Sequence, residues 1–93
     1  MSINNDGWNC FLELCLSASK KKTLSSLFDL LLTAEERESL ATRCLIVKEL
    51  LAEKKSQRQI SKDLQVSIAK ITRGSNELKE TAAGLKIFLK ENF

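Results

Sequence analysis

The lack of proline limits this chain of 93 residues more than any other feature, and glycine occurs only three times. Proline and glycine are the residues that most strongly interrupt helices, so a chain nearly without them has few places where a helix must stop. Apolar residues recur at spacings of three and four, and no segment shows the alternation of a half-buried strand. The sequence therefore predicts an all-α fold, with about six helices separated by short polar clusters.

The first two helices are predicted from apolar spacing and charge. A first helix is expected over about residues 3–19, and the three lysines at 20–22 are expected to end it, because cations favour the negative end of the helix dipole. A short second helix follows, and its apolar face is marked by Leu24, Leu27, Phe28 and Leu31.

A capping signal marks the start of the third helix. In Thr33-Ala34-Glu35-Glu36 the threonine is placed to accept from the backbone three residues on, and Glu36 to reach back to the N–H of Thr33. The helix is expected to run to about Glu53 as a long central helix and the scaffold of a dimer, with an apolar row of Leu40, Cys44, Val47 and Leu51. A last helix is expected over about residues 83–92.

Residues 56–80 have the pattern of a helix-turn-helix. Ile60 and Leu64 share one face of its first helix, and Ser67 is placed to cap the second helix after the three-residue turn Gln65-Val66-Ser67. The inner side of the second helix is predicted to carry Ile68, Ile71 and Leu78. The residues expected to face outward are Gln57, Arg58, Ser61, Lys62, Ala69, Lys70, Thr72, Arg73 and Lys79.

The positive charge of the chain is concentrated in this motif. Residues 53–80 hold seven Lys/Arg against four Asp/Glu, and the rest of the chain holds eight of each, so the motif carries the whole net charge of +3. A basic face on a helix-turn-helix favours double-stranded DNA, because each phosphate contact releases condensed counterions. The alternative is a pair of solvated charged helices with no nucleic-acid partner.

The size of the chain favours self-association. A single domain of this length, over residues 1–93, buries only about 60–65% of the surface that its unfolded chain exposes. Several predicted helices are apolar over more than one face, so a second copy is the natural cover, and we expect a homodimer. No apolar segment is long enough to span a membrane, and we expect a soluble, cytoplasmic protein.

Catalytic and metal chemistry is not indicated. The chain has no histidine, and its cysteines, Cys10, Cys15 and Cys44, form no CxxC pair, which argues against zinc and against a disulfide framework. Without histidine neither a Ser/His/Asp set nor a Cys/His pair can form. We therefore expect neither an enzyme nor a metal site.

Two residues point to a small ligand, each with a structural alternative. Gly74 lies inside the predicted second helix of the motif, where glycine costs about 1 kcal/mol relative to alanine. It admits either a closely packed helix or a small molecule against the backbone. Arg43 borders the apolar row of the central helix, where a guanidinium either stacks on an aromatic guest or extends to solvent.

The segments LLLTAEERESLATR at residues 30–43 and ITRGSN at residues 71–76 are similar to the Trp repressor family. The similarity runs from about residue 30 to residue 89 without a gap, and a weaker match extends through Trp8 and Phe11. The resemblance implies an all-α, intertwined homodimer that binds L-tryptophan as corepressor. It further implies repression of tryptophan-related transcription units through palindromic operators.

The resemblance also implies residue roles. Arg43 and Arg73 would lie on the two faces of the indole, Arg73 and Thr33 near the carboxylate, and Gly74 at the floor of the pocket. The backbone carbonyls of Leu30 and Leu32 of the partner subunit would accept from the ammonium group. The positions on the DNA side would be Gln57, Arg58, Lys62, Ile68, Ala69, Lys70, Thr72, Arg73 and Lys79.

Glu77 and Lys70 depart from the family pattern at these positions, and Ser61-Lys62 shifts a basic side chain by one position. Glu77 stands where the family usually has a serine near the ammonium, and a carboxylate there either pairs with the ammonium or repels phosphate. Lys70 replaces an expected threonine in the base-reading part of the helix, so operator preference is expected to differ. Two other functions stay open: a DNA-binding regulator with another ligand or none, and a helical protein-interaction module, whose binding would depend only weakly on salt.

Overall fold

Six α-helices account for most of residues 5–93, which are the residues that the computed structural model describes. The helices are α1 (Asn5–Ser17), α2 (Lys21–Leu31), α3 (Ala34–Ala52), α4 (Gln57–Leu64), α5 (Ile68–Glu80) and α6 (Ala83–Asn92). No strand occurs in this range, and the all-α prediction is confirmed. The first two residues of the predicted first helix, at 3 and 4, lie outside the described residues.

One predicted boundary is wrong. Helix α1 ends at Ser17, and Lys21 and Lys22 are the first residues of α2 rather than the end of α1. The dipole favours a cation at an exposed position by only about 0.3–1 kcal/mol, which is too little to fix a boundary. The amide of Leu24 donates to the carbonyl oxygen of Lys20 at 3.1 Å. This hydrogen bond closes the first turn of α2, so the lysines belong to the start of that helix.

The chain forms two compact units, one up to Arg37 and the other from Glu38 to Phe93. In the first unit the ring of Phe11 lies 5.5 Å from that of Trp8 and 5.9 Å from that of Phe28, measured between centroids, so aromatic contacts join α1 to α2. Arg37 ties the end of α2 to the start of α3, because its Nε lies 3.3 Å from Oδ1 of Asp29.

The second unit is built around three isoleucines, one from each of three helices. Ile46 of α3, Ile60 of α4 and Ile71 of α5 are buried, and Leu50, Leu64 and Val66 pack against them. This cluster holds both helices of the predicted helix-turn-helix against α3. The inward positions predicted for Ile60 and Ile71 are confirmed.

The apolar row predicted on α3 is not the face that meets this cluster. Leu40 and Cys44 of that row are exposed, and Val47 and Leu51 are half-buried. The buried residue is Ile46, which lies off the row. Helix α3 is apolar on more than one side, and helical spacing alone does not say which side packs against the chain's own helices.

The capping box at the start of α3 is present as predicted. The backbone N–H of Thr33 donates to Oε1 of Glu36 at 2.8 Å, and the N–H of Glu36 donates to Oγ1 of Thr33 at 3.1 Å. Hydrogen bonds from Thr33 to the Glu36 carboxylate, first from the backbone N–H and then from the side chain, hold the pKa of Glu36 below its ordinary value. The charged form of Glu36 is therefore the form that supports the helix start.

Removing this cap is expected to weaken the fold in a pH-dependent way. Thr33→Ala is expected to lower the free energy of unfolding by about 0.5–2 kcal/mol, the usual effect of losing a threonine cap. Because the pKa of Glu36 is depressed in the folded state, its contribution is present above the unfolded pKa and is lost as the pH falls through the folded value. Urea unfolding of the wild type and of Glu36→Gln at pH 6 and in more acidic buffer measures this loss.

Glu35→Gln is the matched control, because Glu35 lies next to Glu36 but makes neither cap hydrogen bond. The stability difference between wild type and Glu36→Gln should shrink in acid more than the difference between wild type and Glu35→Gln. Equal pH dependence in the two variants would contradict a special role of Glu36.

Candidate functional site

Helix α4 begins at a serine cap that the sequence analysis missed. The hydroxyl oxygen of Ser56 accepts from the backbone N–H of Gln59 at 3.1 Å. A serine just before the first helical residue is a standard start signal, and the sequence pattern SQRQ could have revealed it. The cap fixes the first turn of α4, which contains Gln57 and Arg58.

The turn between α4 and α5 is held by paired hydrogen bonds. Gln65 ends α4 in the left-handed conformation, with φ 56° and ψ 45°. The N–H of Val66 donates to the carbonyl oxygen of Ser61 at 3.1 Å, and the hydroxyl of Ser61 donates to the carbonyl oxygen of Val66. Ser61 is therefore half-buried and does not face outward as predicted.

Ser67 starts α5 as predicted, because its hydroxyl oxygen accepts from the N–H of Lys70 at 3.3 Å. Ile68, expected on the inner side, is 48% exposed, so this expectation is wrong. It is the first residue of the helix, where the chain is just entering from the turn, and only Ile71 one turn later reaches the core. The exposure of Ile68 leaves it accessible, together with Ala69, at the tip of α5.

One hydrogen bond links the two helices on the outward side. The hydroxyl of Thr72 in α5 donates to Oε1 of Gln57 in α4 at 3.0 Å. Both residues belong to the predicted DNA-side set, and this contact brings them together. The start of α4 is thus held against the middle of the second helix of the motif.

The basic side chains predicted to face a partner are exposed. None of them forms an ion pair within residues 5–93, where the ion pairs present involve only Arg37 and Lys55 as cations. This exposed cationic set consists of Arg58, Lys62, Lys70, Arg73 and Lys79. Five cations that form no ion pair within residues 5–93, all on one helix pair, are suited to neutralise phosphates.

Lys55 is also exposed, but it differs from these cations because its ammonium pairs with two carboxylates of the same chain. Its Nζ lies 2.8 Å from Oδ2 of Asp63 and 3.3 Å from Oε2 of Glu49, and the amide nitrogen of Gln59 donates to Oδ1 of Asp63 at 2.6 Å. We call Glu49, Lys55, Gln59 and Asp63 the Lys55 network. It joins the last turns of α3, the connecting loop and α4.

The hydrogen bonds of the Lys55 network shift both of its main ionisable groups toward the charged form. Hydrogen bonds to Asp63 and then to Glu49 raise the pKa of Lys55, and the bonds from Lys55 and then from Gln59 lower the pKa of Asp63. Lys55 is one of the seven Lys/Arg that give residues 53–80 their positive charge. In the structure two carboxylates compensate that charge, so Lys55 does not add to the exposed cationic set.

Gly74 faces α3 rather than solvent. A Cβ atom built on Gly74 would lie 3.0 Å from Cγ2 of Ile46 and 3.5 Å from Cδ1 of Leu50. The first distance is tighter than an ordinary van der Waals contact, so the glycine allows α5 to approach α3 closely. The structure thereby shows close helix packing, the first of the two alternatives for this residue.

Arg43 and Glu77, two other predicted ligand-binding residues of the second unit, each lie about one helical turn from the contact between Gly74 and Ile46. Arg43 is three residues before Ile46 on α3, and Glu77 is three residues after Gly74 on α5, so each is a neighbour of the contact on its own helix. Arg43, Arg73 and Glu77 are exposed. Two guanidinium groups and a carboxylate are thus accessible on the two helices that meet at Gly74.

The remaining ligand-side positions belong to the first unit. Leu30 is 80% exposed, Thr33 is engaged in the capping box, and the carbonyl oxygen of Leu32 accepts from Nη1 of Arg37 at 2.9 Å. A carbonyl oxygen has two lone pairs and can accept a second hydrogen bond. The contact from Arg37, which the sequence analysis missed, therefore orients this carbonyl without using it up.

Three further observations concern metal ligands, membrane spans and cysteines in the part of the chain that the structure describes. Within residues 5–93 no three His, Cys, Asp or Glu side chains are grouped closely enough to hold a metal ion. None of the helices α1 to α6 has the length and apolar character that crossing a membrane requires. The three cysteines are free thiols.

Comparison with known proteins identifies the family. The family model for the Trp repressor protein matches residues 6–93. A Trp operon repressor homolog from Chlamydia caviae is 51% identical over 87 residues, covering 94% of this chain and 86% of that protein. Homologs of the same name from Chlamydia trachomatis serovar D and Vibrio parahaemolyticus are 45% and 47% identical, covering 91% and 89% of this chain and 90% and 81% of those proteins.

The match includes every element of the candidate site. The family model begins before the aromatic contacts of α1 and continues through the capping box, the helix-turn-helix and α6. The resemblance first noticed in the segments at 30–43 and 71–76 is therefore a property of nearly the whole chain. With the family model covering residues 6–93 and relatives near half identity over most of its length, the chain belongs to the Trp repressor family.

Proposed function

We propose that this protein is a DNA-binding transcriptional repressor that uses L-tryptophan as its corepressor and acts as a homodimer on palindromic operators. Membership of the Trp repressor family carries the proposal. The relatives bear the name Trp operon repressor homolog, which supports tryptophan-related operons as the targets. The proposed activity is binding alone.

The exposed cationic set supports DNA as the partner. Arg58 lies in the first turn of α4, and Lys70 and Arg73 lie in the first two turns of α5. In a helix-turn-helix the first residues of the second helix approach base edges, while flanking cations contact phosphates. We therefore assign α5 as the recognition helix, with Ile68, Ala69, Lys70 and Thr72 nearest the bases. Gln57, Arg58, Lys62, Arg73 and Lys79 are assigned to the flanking contacts.

The exposed apolar surface supports a dimer. Only three residues among those described are buried, whereas large apolar side chains in α1, α2 and α6 are exposed, including Leu16 at 86% and Phe88 at 56%. A soluble monomer rarely leaves so many large apolar side chains in water. We propose that a second copy covers it, and that residues 1–93 act as one domain only within this dimer.

The proposed ligand site is shared between the two subunits. Arg43 and Arg73 are assigned to the two faces of the indole, where cations are attracted by the ring quadrupole. Arg73 and Thr33 are assigned to the carboxylate, and the carbonyls of Leu30 and Leu32 of the partner subunit to the ammonium. Glu77 lies one turn from Gly74, and we propose that its carboxylate adds a charge-assisted contact to the same ammonium.

The proposed mechanism is a shift between two arrangements of the helix-turn-helix. A ligand shifts such an equilibrium only by its difference in affinity for the two arrangements. If tryptophan fits only when α5 is held at one distance from the dimer core, it favours the dimer whose recognition helices meet successive major grooves, about 34–36 Å apart. A two-fold protein then requires a palindromic operator.

Calorimetric titration with L-tryptophan tests this function directly, with L-phenylalanine as the control ligand. Saturable binding of one tryptophan per chain, with little heat from phenylalanine, is the expected result. The same samples are then titrated onto operator DNA with and without tryptophan. A folded dimer that binds no tryptophan would contradict the corepressor assignment.

Lys79→Ala is expected to weaken DNA binding without changing tryptophan affinity. Each phosphate contact contributes about 0.9 to the slope of log affinity against log salt, and a dimer loses two contacts, so the slope should fall by about 1.8. Lys90→Ala is the matched control, because Lys90 is an exposed lysine of α6 outside the DNA-side set. Equal salt slopes for Lys79→Ala and Lys90→Ala would show that Lys79 does not contact a phosphate.

A second candidate function is a DNA-binding regulator that does not respond to tryptophan. The packing of Gly74 on Ile46 and Leu50 favours it, because that packing explains the glycine without any ligand. Under this alternative tryptophan leaves the DNA affinity unchanged while the salt dependence stays steep. Weak salt dependence would instead favour the protein-interaction module.

A further inference from the structure

The Lys55 network spans the connection between the central helix and the helix-turn-helix. Helix α3 ends at Ala52 and α4 begins at Gln57, so the connection is only four residues long. Glu53, its first residue, is in the left-handed conformation with φ 53°. Lys55 extends from this connection to Glu49 on one side and to Asp63 on the other.

The two carboxylates are on different helices, and this distinguishes the network from a pair within one helix. Glu49 lies in the last turn but one of α3, and Asp63 lies in the last turn of α4. A lysine ammonium has three donors, so it can hold both carboxylates at once. Gln59 holds the other oxygen of Asp63 at 2.6 Å, which restricts where that carboxylate can go.

A change in the direction of α4 relative to α3 would break at least one of these contacts. The isoleucine cluster is apolar and non-directional, so it resists separation of the helices more than it resists tilting. The ion pairs depend on the distances from the ammonium of Lys55 to the carboxylates of Glu49 and Asp63, and they therefore oppose tilting. Because α4 and α5 are joined by the turn and by the bond from Thr72 to Gln57, α5 follows α4.

We propose that Lys55 is a positioning residue that holds the helix-turn-helix in its DNA-binding direction through Glu49 and Asp63, without itself contacting DNA. The inference rests on the proposed DNA-binding function. It adds a residue that affects DNA binding but is assigned neither to the tryptophan site nor to the DNA contacts. The network acts in the free protein, before any ligand is bound. The more firmly the network orients the helix-turn-helix in the free protein, the smaller is the gain in DNA affinity that tryptophan binding can add.

Lys55→Met is the first test, since methionine keeps a long unbranched side chain but cannot hold a carboxylate. Exposed ion pairs have modest effects, so the affinity of the tryptophan-free protein for DNA should fall by about two- to fivefold for each subunit. The salt slope should stay that of the wild type, because no phosphate contact is lost. The loss should be smaller with tryptophan bound, so the gain in affinity that tryptophan produces should rise.

Lys54→Met is the matched control, because Lys54 is the neighbouring exposed lysine and forms no ion pair within residues 5–93. Both substitutions remove one positive charge from the same connection. General electrostatics therefore predicts the same change in both, whereas the positioning role predicts the ligand-dependent change only in Lys55→Met. Identical behaviour of the two variants overturns the proposal.

Asp63→Asn gives a prediction of opposite sign for the competing explanation. If Lys55 contacted phosphate, removing its internal partner would release the ammonium and remove a negative charge, so DNA would bind more tightly. If Lys55 positions the motif, Asp63→Asn weakens DNA binding, and adding Lys55→Met causes little further loss because either substitution alone breaks the bridge from α3 to α4. Tighter binding by Asp63→Asn overturns the proposal.

Hydrogen exchange of the free protein separates this inference from the corepressor function. In Lys55→Met the amides of α4 should exchange faster relative to those of α3, while a merely structural loss would accelerate exchange throughout the second unit. This readout needs neither DNA nor tryptophan. If tryptophan does not change the DNA affinity of the wild type, the corepressor function is wrong, but local exchange and the salt slope still test the role of Lys55. Unchanged exchange of the α4 amides in Lys55→Met overturns the positioning role.

Discussion

Replacing Ile71 by alanine should lower the free energy of unfolding by about 2–5 kcal/mol, the usual cost of truncating a fully buried isoleucine. Ile71 is completely buried and is one of three residues that form the core of the second unit. With so small a core, the neighbouring Ile46 and Ile60 lose a contact that no other buried side chain replaces. Urea unfolding at a fixed protein concentration measures the change, because dimerisation makes apparent stability depend on concentration.

Ile68→Ala provides the matched control on the same helix. The substitution is identical and the residue lies one turn earlier, but Ile68 is 48% exposed. Its stability should change by no more than about 0.5 kcal/mol, the usual range for surface substitutions. Ile71→Val, at about 0.5–1.5 kcal/mol, keeps the comparison measurable if Ile71→Ala does not fold. Similar losses at positions 68 and 71 would contradict the assignment of the core.

The Arg43→Ala variant should lose the response to tryptophan while keeping its fold. A cation over a desolvated aromatic face contributes about 2 kcal/mol, so tryptophan affinity should fall roughly thirtyfold. Arg43 is exposed and makes no ion pair within the described residues, so stability should hardly change. Calorimetric titration measures the affinity, and DNA titration with and without tryptophan measures the response.

Two further variants define the role of this guanidinium. Arg43→Lys keeps the charge but loses the planar group that stacks on a ring, and it should restore only part of the affinity. Arg58→Ala removes an exposed arginine of α4 and should weaken DNA binding with tryptophan affinity intact. Wild-type tryptophan affinity in Arg43→Ala would show that the ligand assignment is wrong.

Local signals in the sequence were sufficient for the helix boundaries. The Thr33 box, the Ser67 cap and the three-residue turn depend on contacts between residues at most a few positions apart, and each is present in the structure. The exception is the lysine run at 20–22, which was predicted to end α1 but lies at the start of α2. The dipole effect behind that prediction is too weak to place a helix boundary. Ile60 and Ile71 were also predicted correctly, because each helix of the motif has one clearly apolar face.

Contacts between separate elements were not predictable in the same way. Ile46 was missed because α3 offers apolar residues on more than one side, and periodicity does not rank them. The Lys55 network was missed because it depends on the path of a four-residue connection with Glu53 in a left-handed conformation. The roles of Arg43, Arg73 and Glu77 come from family resemblance, and they remain predictions.

The division of labour within α5 has an evolutionary consequence. Its packing depends on Ile71 and Gly74, whereas Ala69, Lys70 and Arg73 are exposed and support no part of the core. Substitutions at these exposed positions can therefore accumulate with little effect on folding. If α5 is the recognition helix, as proposed, substitutions at Ala69 and Lys70 can change the operator preference, while selection for a stable chain acts on Ile71 and Gly74.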